Sequence, residues 1–308
     1  MALFPFRKTP MGGDAPSADV QAFLQGFSIE VMPRTAAKIE DFRALLPRGT
    51  RIYIAHIEGT GIGEMVATAR RLADQGYEVM PHFPARIIKD AAMLGDWIAQ
   101  YQGEAGVTQG LIIAGNPARQ RGAFDSSMQL LETGLFDKAN FVRLHVAGHP
   151  EGNRDIDPDG GEQNVMDALR WKQAFNECTD AAMALTTQFC FEAAPVIAWV
   201  QALSEADIGL PVHIGIAGPA KLQTLIRFAI ACGIGPSLKV LQKRAMDVTK
   251  LILPYTPTDV IADLAAHKAA NPAFNITQVH FFPLGGIKTS AHWARDNGGV
   301  RARPASAA

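Results

Sequence analysis

The segment FSIEVMPRT, residues 27–35, decides the fold. It is an apolar run interrupted by one carboxylate, Glu30, and closed by Pro33 and Arg34. A run of this length reads as a short buried strand. It is followed by PRTAAK (33–38), which contains no glycine. An open doubly wound sheet carries a glycine-rich phosphate turn after its first strand. That turn is missing here, which favours a closed barrel.

Seven further runs have the same character. They are RIYIAHI (51–57), EVMPHFP (78–84), GLIIAGN (110–116), FVRLHVAGH (141–149), MALTTQFCF (183–191), PVHIGIAGP (211–219) and QVHFFPLGG (278–286). Nearly continuous apolar runs are expected of parallel strands covered on both faces. The intervening segments have helical periodicity. GEMVATARRLADQ (63–75) places Met65, Ala69, Leu72 and Ala73 on one side. APVIAWVQALSEA (194–206) and AKLQTLIRFAIACG (220–233) behave alike, the second ending at Gly233 as a C-terminal cap. Eight βα units in 308 residues predict an α/β chain folded as a (β/α)8 TIM barrel. Extra helices, PSLKVLQKRAM and PTDVIADLAAHKAA, fall between the seventh and eighth strands. Residues 1–20 read as a loosely ordered lead-in, 21–298 as one barrel domain, and 299–308 as a disordered Gly/Ala/Pro-rich tail.

Composition narrows the function classes. Hydrophobic residues make up 48% and charged residues 19%, enough apolar material for a large core. Lys and Arg total 29 against 30 Asp and Glu, which gives no electrostatic footprint for nucleic acid or an anionic membrane. No uncharged apolar run reaches the roughly 18 residues a membrane span needs. The start, MALFPFRKTP, lacks a signal-like apolar core. Cys178, Cys190 and Cys232 show no metal-ligand or CxxC spacing, and Cys190 reads as a small buried thiol in a strand. The expectation is a reduced cytoplasmic protein, with a homo-oligomer left open.

Polar residues gather near the C-terminal ends of the strand runs: Glu30, His56 with Glu58, His82, Asn116, His149 with Glu151, and Gln188. In a (β/α)8 barrel those ends converge on the face that carries the active site. Each has a plain structural reading. A lone strand histidine is commonly structural, a strand-end Asn makes a turn, and Gln188 can satisfy neighbouring backbone. Polar groups at six successive strand ends are harder to assign to packing alone, because burying them is costly. Burial raises a carboxyl pKa, and a general acid must hold its proton near neutral pH, so Glu30 is the candidate acid. His56, His82 and His149 lie on separate strands without an HxH or HExxH pair, and the sequence assigns no metal site. AGNPARQRG (114–122), with Arg119 and Arg121, and HPEGN (149–153) read either as phosphate-contacting loops or as ordinary turns. AGPAK (217–221) sits where such barrels commonly hold phosphate. No GxSxG or other nucleophile signature is present.

In order along the chain, these segments resemble the methylenetetrahydrofolate reductase family from about Phe27 to Trp293. FSIEVMPRT is similar to its first-strand Phe-Glu-Phe-Phe-Pro-Pro-Arg motif, and PHFP to its third-strand Pro-His segment. VAGHPEGN resembles its Ala-Tyr-Pro-Glu-x-His, TTQFCFE its Thr-Gln-Phe-Phe-Phe-Asp, and VHFFPLGG its His-Phe-Tyr-Thr-Leu-Asn. The resemblance implies a (β/α)8 barrel carrying FAD over its C-terminal face. NADH or NADPH would reduce the flavin, which would pass hydride to 5,10-methylenetetrahydrofolate to give 5-methyltetrahydrofolate. Glu30 matches the family's acid, and Gln188 a residue at the pterin. His56, His82, Ala114, Gly115, Asn116, His149, Glu151 and Lys172 fall near flavin-lining positions. Asn116, Phe282 and Leu284 fall near the substrate surface.

The chain also departs from the family. Ala114-Gly115-Asn116 stands where the family has Arg-Gly-Asp, which replaces a carboxylate by a neutral amide and removes an arginine. His149 stands at a tyrosine position and His56 at a threonine position. Flavin-independent transfer from nicotinamide to folate therefore stays open. So do a pterin-binding methyltransferase barrel and a barrel that binds folate or flavin without turnover. Nothing in the sequence selects NADH over NADPH.

Overall fold

The computed structural model describes residues 15–115, 117, 120–231, 241 and 254–300. Eight strands form one closed parallel barrel. They are β1 (Ser28–Val31), β2 (Arg51–Ile54), β3 (Glu78–Pro84), β4 (Gln109–Ile113), β5 (Arg143–Gly148), β6 (Ala182–Cys190), β7 (Val212–Ala217) and β8 (Ile276–Phe282). Each of the eight apolar runs overlaps one of them, with β4 and β6 starting one residue and β8 two residues ahead of their runs, and β1 closes the ring on β8 through Ser28↔His280 and Ile29↔Phe281.

The period-2 alternation of a strand divides the core in two. Ile29, Val31, Ile52, Ile54, Ile112, Val146, Ile214 and Phe281 face the surrounding helices and pack with residues such as Met65, Leu94 and Val196. The alternate residues point into the barrel. Tyr53, Met80 and Leu111 form a small apolar cluster there. Much of the remaining interior is polar, and several of its side chains hydrogen-bond to one another. Arg51 reaches Glu78 at 2.8 Å, Gln109 at 3.0 Å and Gln278 at 3.4 Å. One layer higher, Tyr53 Oη lies 2.6 Å from His145 Nδ1 and 3.4 Å from Thr186 Oγ1. These contacts satisfy polar groups whose burial would otherwise be expensive.

A register shift between Thr186 and Phe189 interrupts the β6–β7 ladder. Thr187 Oγ1 stitches the gap, accepting from the Gly215 amide at 2.8 Å and donating to Gln188 O at 2.8 Å. A Cβ at Gly215 would lie 2.5 Å from the carbonyl oxygens of Thr187 and Gln188, so only glycine lets these strands approach. Bulges of this kind occur next to sites, and Gln188 lies within the shifted segment.

The helix expected over 63–75 runs Ile62–Asp74 and buries Met65, Ala69 and Leu72. Those expected over 194–206 and 220–233 appear as Ala193–Glu205 and Leu222–Ala231. Gly233 and all of 236–246 except the buried Leu241 lie outside the described residues, whereas Thr258–Ala270 is a helix between β7 and β8. A helix, Ala18–Leu24, starts within the segment read as a lead-in, its first turn capped by Ser17, whose Oγ accepts from Val20 N at 3.3 Å. It is held by a hydrogen bond from Gln25 Nε2 to Gly298 O. Residues 1–14 and 301–308 lie outside the described residues. Cys190 is buried and Cys178 exposed, while Cys232 is not among the described residues. No described helix is long and apolar enough to cross a membrane.

The β5 loop is anchored by Asp157, which is 3% exposed. Its carboxylate accepts from Asn164 N at 3.0 Å and Val165 N at 2.9 Å, satisfying the first turn of the helix Gln163–Asn176. Asp157→Ala is expected to destabilise the fold by about 1–2 kcal/mol, measured as a lower urea midpoint. Asp157→Asn should recover part of that loss.

Candidate active site

Glu30 occupies the next-to-last position of β1, and its side chain is 19% exposed at the C-terminal mouth. Two imidazoles aim at one of its oxygens. His82 Nε2 from β3 is 3.3 Å from Oε2, and His280 Nε2 from β8 is 4.0 Å away. Neither Nε2 has another hydrogen-bond partner, and both are buried. The sequence led us to expect a raised carboxyl pKa. Burial does push it up, but the hydrogen bond and charge of His82, with the charge of His280, outweigh burial and leave Glu30 below the ordinary value. Burial lowers His280 itself to about 4, so its ring is neutral at neutral pH.

A second group lies at the ends of β5 and β6. Lys172 comes from the helix Gln163–Asn176, is 4% exposed, and donates to Ala147 O at 2.9 Å. Burial lowers its ammonium to about 8, and no carboxylate pairs with it among the described residues. His149 is pushed down to about 3 by burial, helped by the charge of Lys172 and opposed by a hydrogen bond with Gln188. Gln188 remains partly exposed at the mouth.

Facing these polar groups is an aromatic wall. Phe282 meets Phe189 at 5.6 Å and the His280 ring at 4.8 Å, and Phe191 continues the wall to Tyr255 at 5.3 Å. Leu284 packs against the same cluster. An acid, an amide and a partly exposed aromatic face around one opening suit a flat, polar-edged ring system.

The other candidate residues are placed differently. The His56 ring stacks on Trp97 at 4.8 Å, and its Nε2 lies 2.9 Å from Thr60 O, which ties it into its own loop and to the helix layer. Glu58 pairs with Arg121, so that arginine is not free for phosphate. Glu151 is partly buried in the β5 loop. Arg86 binds Asp125 at 2.8 Å, Asp155 at 2.6 Å and Pro117 O at 3.2 Å, and its amide donates to Ala114 O at 2.9 Å. Gly115 has φ +95°, and a Cβ there would fall 2.8 Å from Pro84 Cβ. Asn116 and Arg119 lie outside the described residues. The phosphate reading of AGPAK loses two amides: Gly218 N donates to Phe282 O at 2.9 Å and Ala220 N to Tyr255 O at 3.2 Å. Among the described residues no group of three His, Cys, Asp or Glu side chains could hold a metal ion.

Sequence reasoning passed over His280 and Ser28 because they lie within strands, not at their ends. The alternation that puts Glu30 inside also puts Ser28, His280 and Gln278 inside, and that period was the available signal. A cleft of about 620 Å³ opens at the opposite end of the barrel, lined by residues including Ser204, Asp207, His267 and Phe274. The titratable cluster is at the mouth, which makes the mouth the candidate site.

The buried histidines predict a pH effect. His149 and His280 have folded-state values near 3 and 4, below the ordinary 6.5. Below pH 6.5 the unfolded chain binds protons that the folded chain refuses, so stability falls as pH drops toward 4. Thermal melts between pH 7 and 4.5 should show a falling Tm, and His149→Gln should flatten that slope.

The sequence matches no protein-family model. Among solved structures, an uncharacterized protein from Clostridium thermocellum that binds two copies of 5-methyl-5,6,7,8-tetrahydrofolic acid superposes with a TM-score of 0.54. It is 9% identical, over 90% of this chain and 96% of that one, a likeness of fold. The carboxyl transferase domain of Rhizobium etli pyruvate carboxylase superposes at 0.39 with 9% identity, over 86% of this chain and 50% of that one, too weakly to carry an argument.

Proposed function

We propose that this barrel binds a reduced folate at its C-terminal mouth and reduces 5,10-methylenetetrahydrofolate to 5-methyltetrahydrofolate with NADH or NADPH. The carrying observation is the partly exposed Glu30, backed by His82 and His280, with the Phe282 ring against His280 and Gln188 at the end of another strand of the same mouth. The ordered motif resemblance supports the reading, as does the fold shared with a barrel that binds 5-methyltetrahydrofolate. In this reading Gln188 bonds the pterin edge and Phe282 covers its face. Glu30 supplies the proton that opens the methylene bridge, and orientation by the rigid mouth contributes the rest.

FAD fits the described residues in one respect. Lys172 is a buried ammonium with three N–H donors and a single carbonyl partner, a suitable contact for an anionic group. Lys172, His149, Ala114 and Gly115 would hold it, with His56, His82, Glu151 and Asn116 nearby in the resemblance. When bound, FAD supplies a two-electron relay between nicotinamide and folate. A second reading, a pterin-binding methyltransferase, is favoured by the ligand of the Clostridium protein, because 5-methyltetrahydrofolate is a methyl donor.

The test is the visible spectrum of the purified protein and its methylenetetrahydrofolate reduction with each nicotinamide, with and without added FAD. Turnover that oxidises nicotinamide supports reduction. Absence of turnover under all four conditions overturns it, and 5-methyltetrahydrofolate binding without nicotinamide use would point to methyl transfer.

A further inference from the structure

We infer that Arg86 is a positioning residue: its guanidinium holds the loops after β4 and β5 to the end of β3, and through Asp155 and Asn153 it fixes His149 in the mouth. What those loops receive rests on the folate and flavin reading above; the side-chain arrangement does not.

Arg86 sits in the single turn Ala85–Ile87, which begins where β3 ends. Its main chain is engaged on both sides. The Arg86 amide donates to Ala114 O at 2.9 Å, and its carbonyl accepts from Arg121 N at 2.8 Å. Further along, Lys89 O accepts from Ala123 N at 2.8 Å. Between those two bonds, a Cβ at Gly122 would fall 2.0 Å from Lys89 O. The β4 loop therefore lies flush on the turn only because Gly122 has no side chain.

The Arg86 side chain extends the link to a third loop. Nε donates to Asp125 Oδ1 at 2.8 Å and to Asp125 O at 3.2 Å, both in the β4 loop. Nη1 donates to Pro117 O at 3.2 Å in the same loop and to Asp155 Oδ2 at 2.6 Å in the β5 loop. The guanidinium side chain is 11% exposed, whereas its two carboxylate partners are each more than half exposed. Ion pairs between exposed side chains contribute little. A covered planar fork differs, because its donors are fixed in direction and can serve two loops at once.

Asp155 passes the restraint inward. Its amide donates to Asn153 Oδ1 at 2.8 Å, which settles which way the Asn153 amide faces. Asn153 Nδ2 is thereby turned to His149 and lies 3.4 Å from its Nδ1. His149 in turn bonds Gln188 of β6. In the same loop, Asp157 caps the helix that carries Lys172. Asp125 leads instead to the helix Ser127–Glu132, whose Gln129 Oε1 accepts from its amide at 2.6 Å. One arginine thus has two branches, and only the Asp155 branch runs to His149.

The two branches separate positioning from general stability. Amide hydrogen exchange of ligand-free protein is compared in wild type, Arg86→Met, Arg86→Lys, Asp125→Ala and Asp155→Ala. Ring-nitrogen NMR of histidine-labelled protein follows His149, with His149→Gln assigning the resonance. In Arg86→Met, exchange is expected to rise about tenfold in both 120–126 and 151–157, as when local opening is released, with the barrel strands still protected. In Asp155→Ala the rise should be confined to 151–157 and the His149 resonance should move. In Asp125→Ala it should be confined to 120–126 and the resonance should stay. Arg86→Lys, a point charge, should restore one loop at most. FAD, added as the probe, should bind Arg86→Met about tenfold more weakly than wild type, because the loops must then be ordered on binding. Unchanged exchange in both loops of Arg86→Met overturns the inference. So do a His149 resonance that stays in Asp155→Ala, wild-type exchange in both loops of Arg86→Lys, and equal FAD affinity in wild type and Arg86→Met. If Arg86→Met does not fold, the two aspartate variants decide. The exchange and NMR measurements contain no ligand, so a wild type that binds no FAD counts against the flavin reading alone.

Discussion

Glu30→Gln is expected to slow methylenetetrahydrofolate reduction by about 10²–10⁴-fold, the usual range for removing a positioned acid. The amide is isosteric, so the folate should still bind and KM should change little. Gln carries no ionisable proton at the position where His82 Nε2 lies 3.3 Å from Glu30 Oε2. It also removes the charge that His280 faces at 4.0 Å. Nicotinamide oxidation through flavin needs no proton at the folate, so that half-reaction should be largely retained. The check is to measure both half-reactions in wild type and variant by stopped flow. Equal loss in both would make Glu30 a structural residue, or would mean that hydride reaches the folate without a flavin.

Phe83→Ala is expected to cost about 3–5 kcal/mol of stability, as large aromatic truncations in cores do. Phe83 is 0% exposed and points out of β3 into the helix layer. Its ring makes edge contacts with Tyr101 at 5.5 Å, Phe136 at 5.1 Å and Phe141 at 6.0 Å. Its two neighbours in sequence serve different ends: His82 faces Glu30, and Pro84 packs under Gly115. Removing the ring should therefore loosen β3 where it presents His82. Urea denaturation measures the loss, and a midpoint equivalent to less than about 1 kcal/mol would show that the cluster can collapse around the gap.

These two residues illustrate what could be read in advance. Phe83 belongs to the set of outward-facing strand residues, almost all apolar. That set made the strand runs look continuous and made eight of them countable. Glu30 was legible as a carboxylate where one is out of place. The sign of its pKa shift was not, because burial and charge act in opposite directions on a carboxyl. Burial follows from an apolar run, but the charge comes from His82 and His280, 52 and 250 residues away along the chain, by subtraction of their numbers. The helix layer likewise claimed His56 through Trp97, a contact between side chains 41 positions apart by the same subtraction.

By itself, then, the sequence determined the barrel. Strand and helix periods are local, and eight alternations leave few ways to cover every apolar face. Its order of motifs also marked Glu30 and Gln188 as residues of one mouth. Only the tertiary structure decided which polar groups meet there. Closing β1 on β8 brought Ser28 and His280 to Glu30's strand edge, and the pairing of β5 with β6 brought Gln188 to His149, which also feels the charge of Lys172. Proton affinity depends on distances of a few ångströms between groups remote in sequence, and those distances exist only once the barrel is closed.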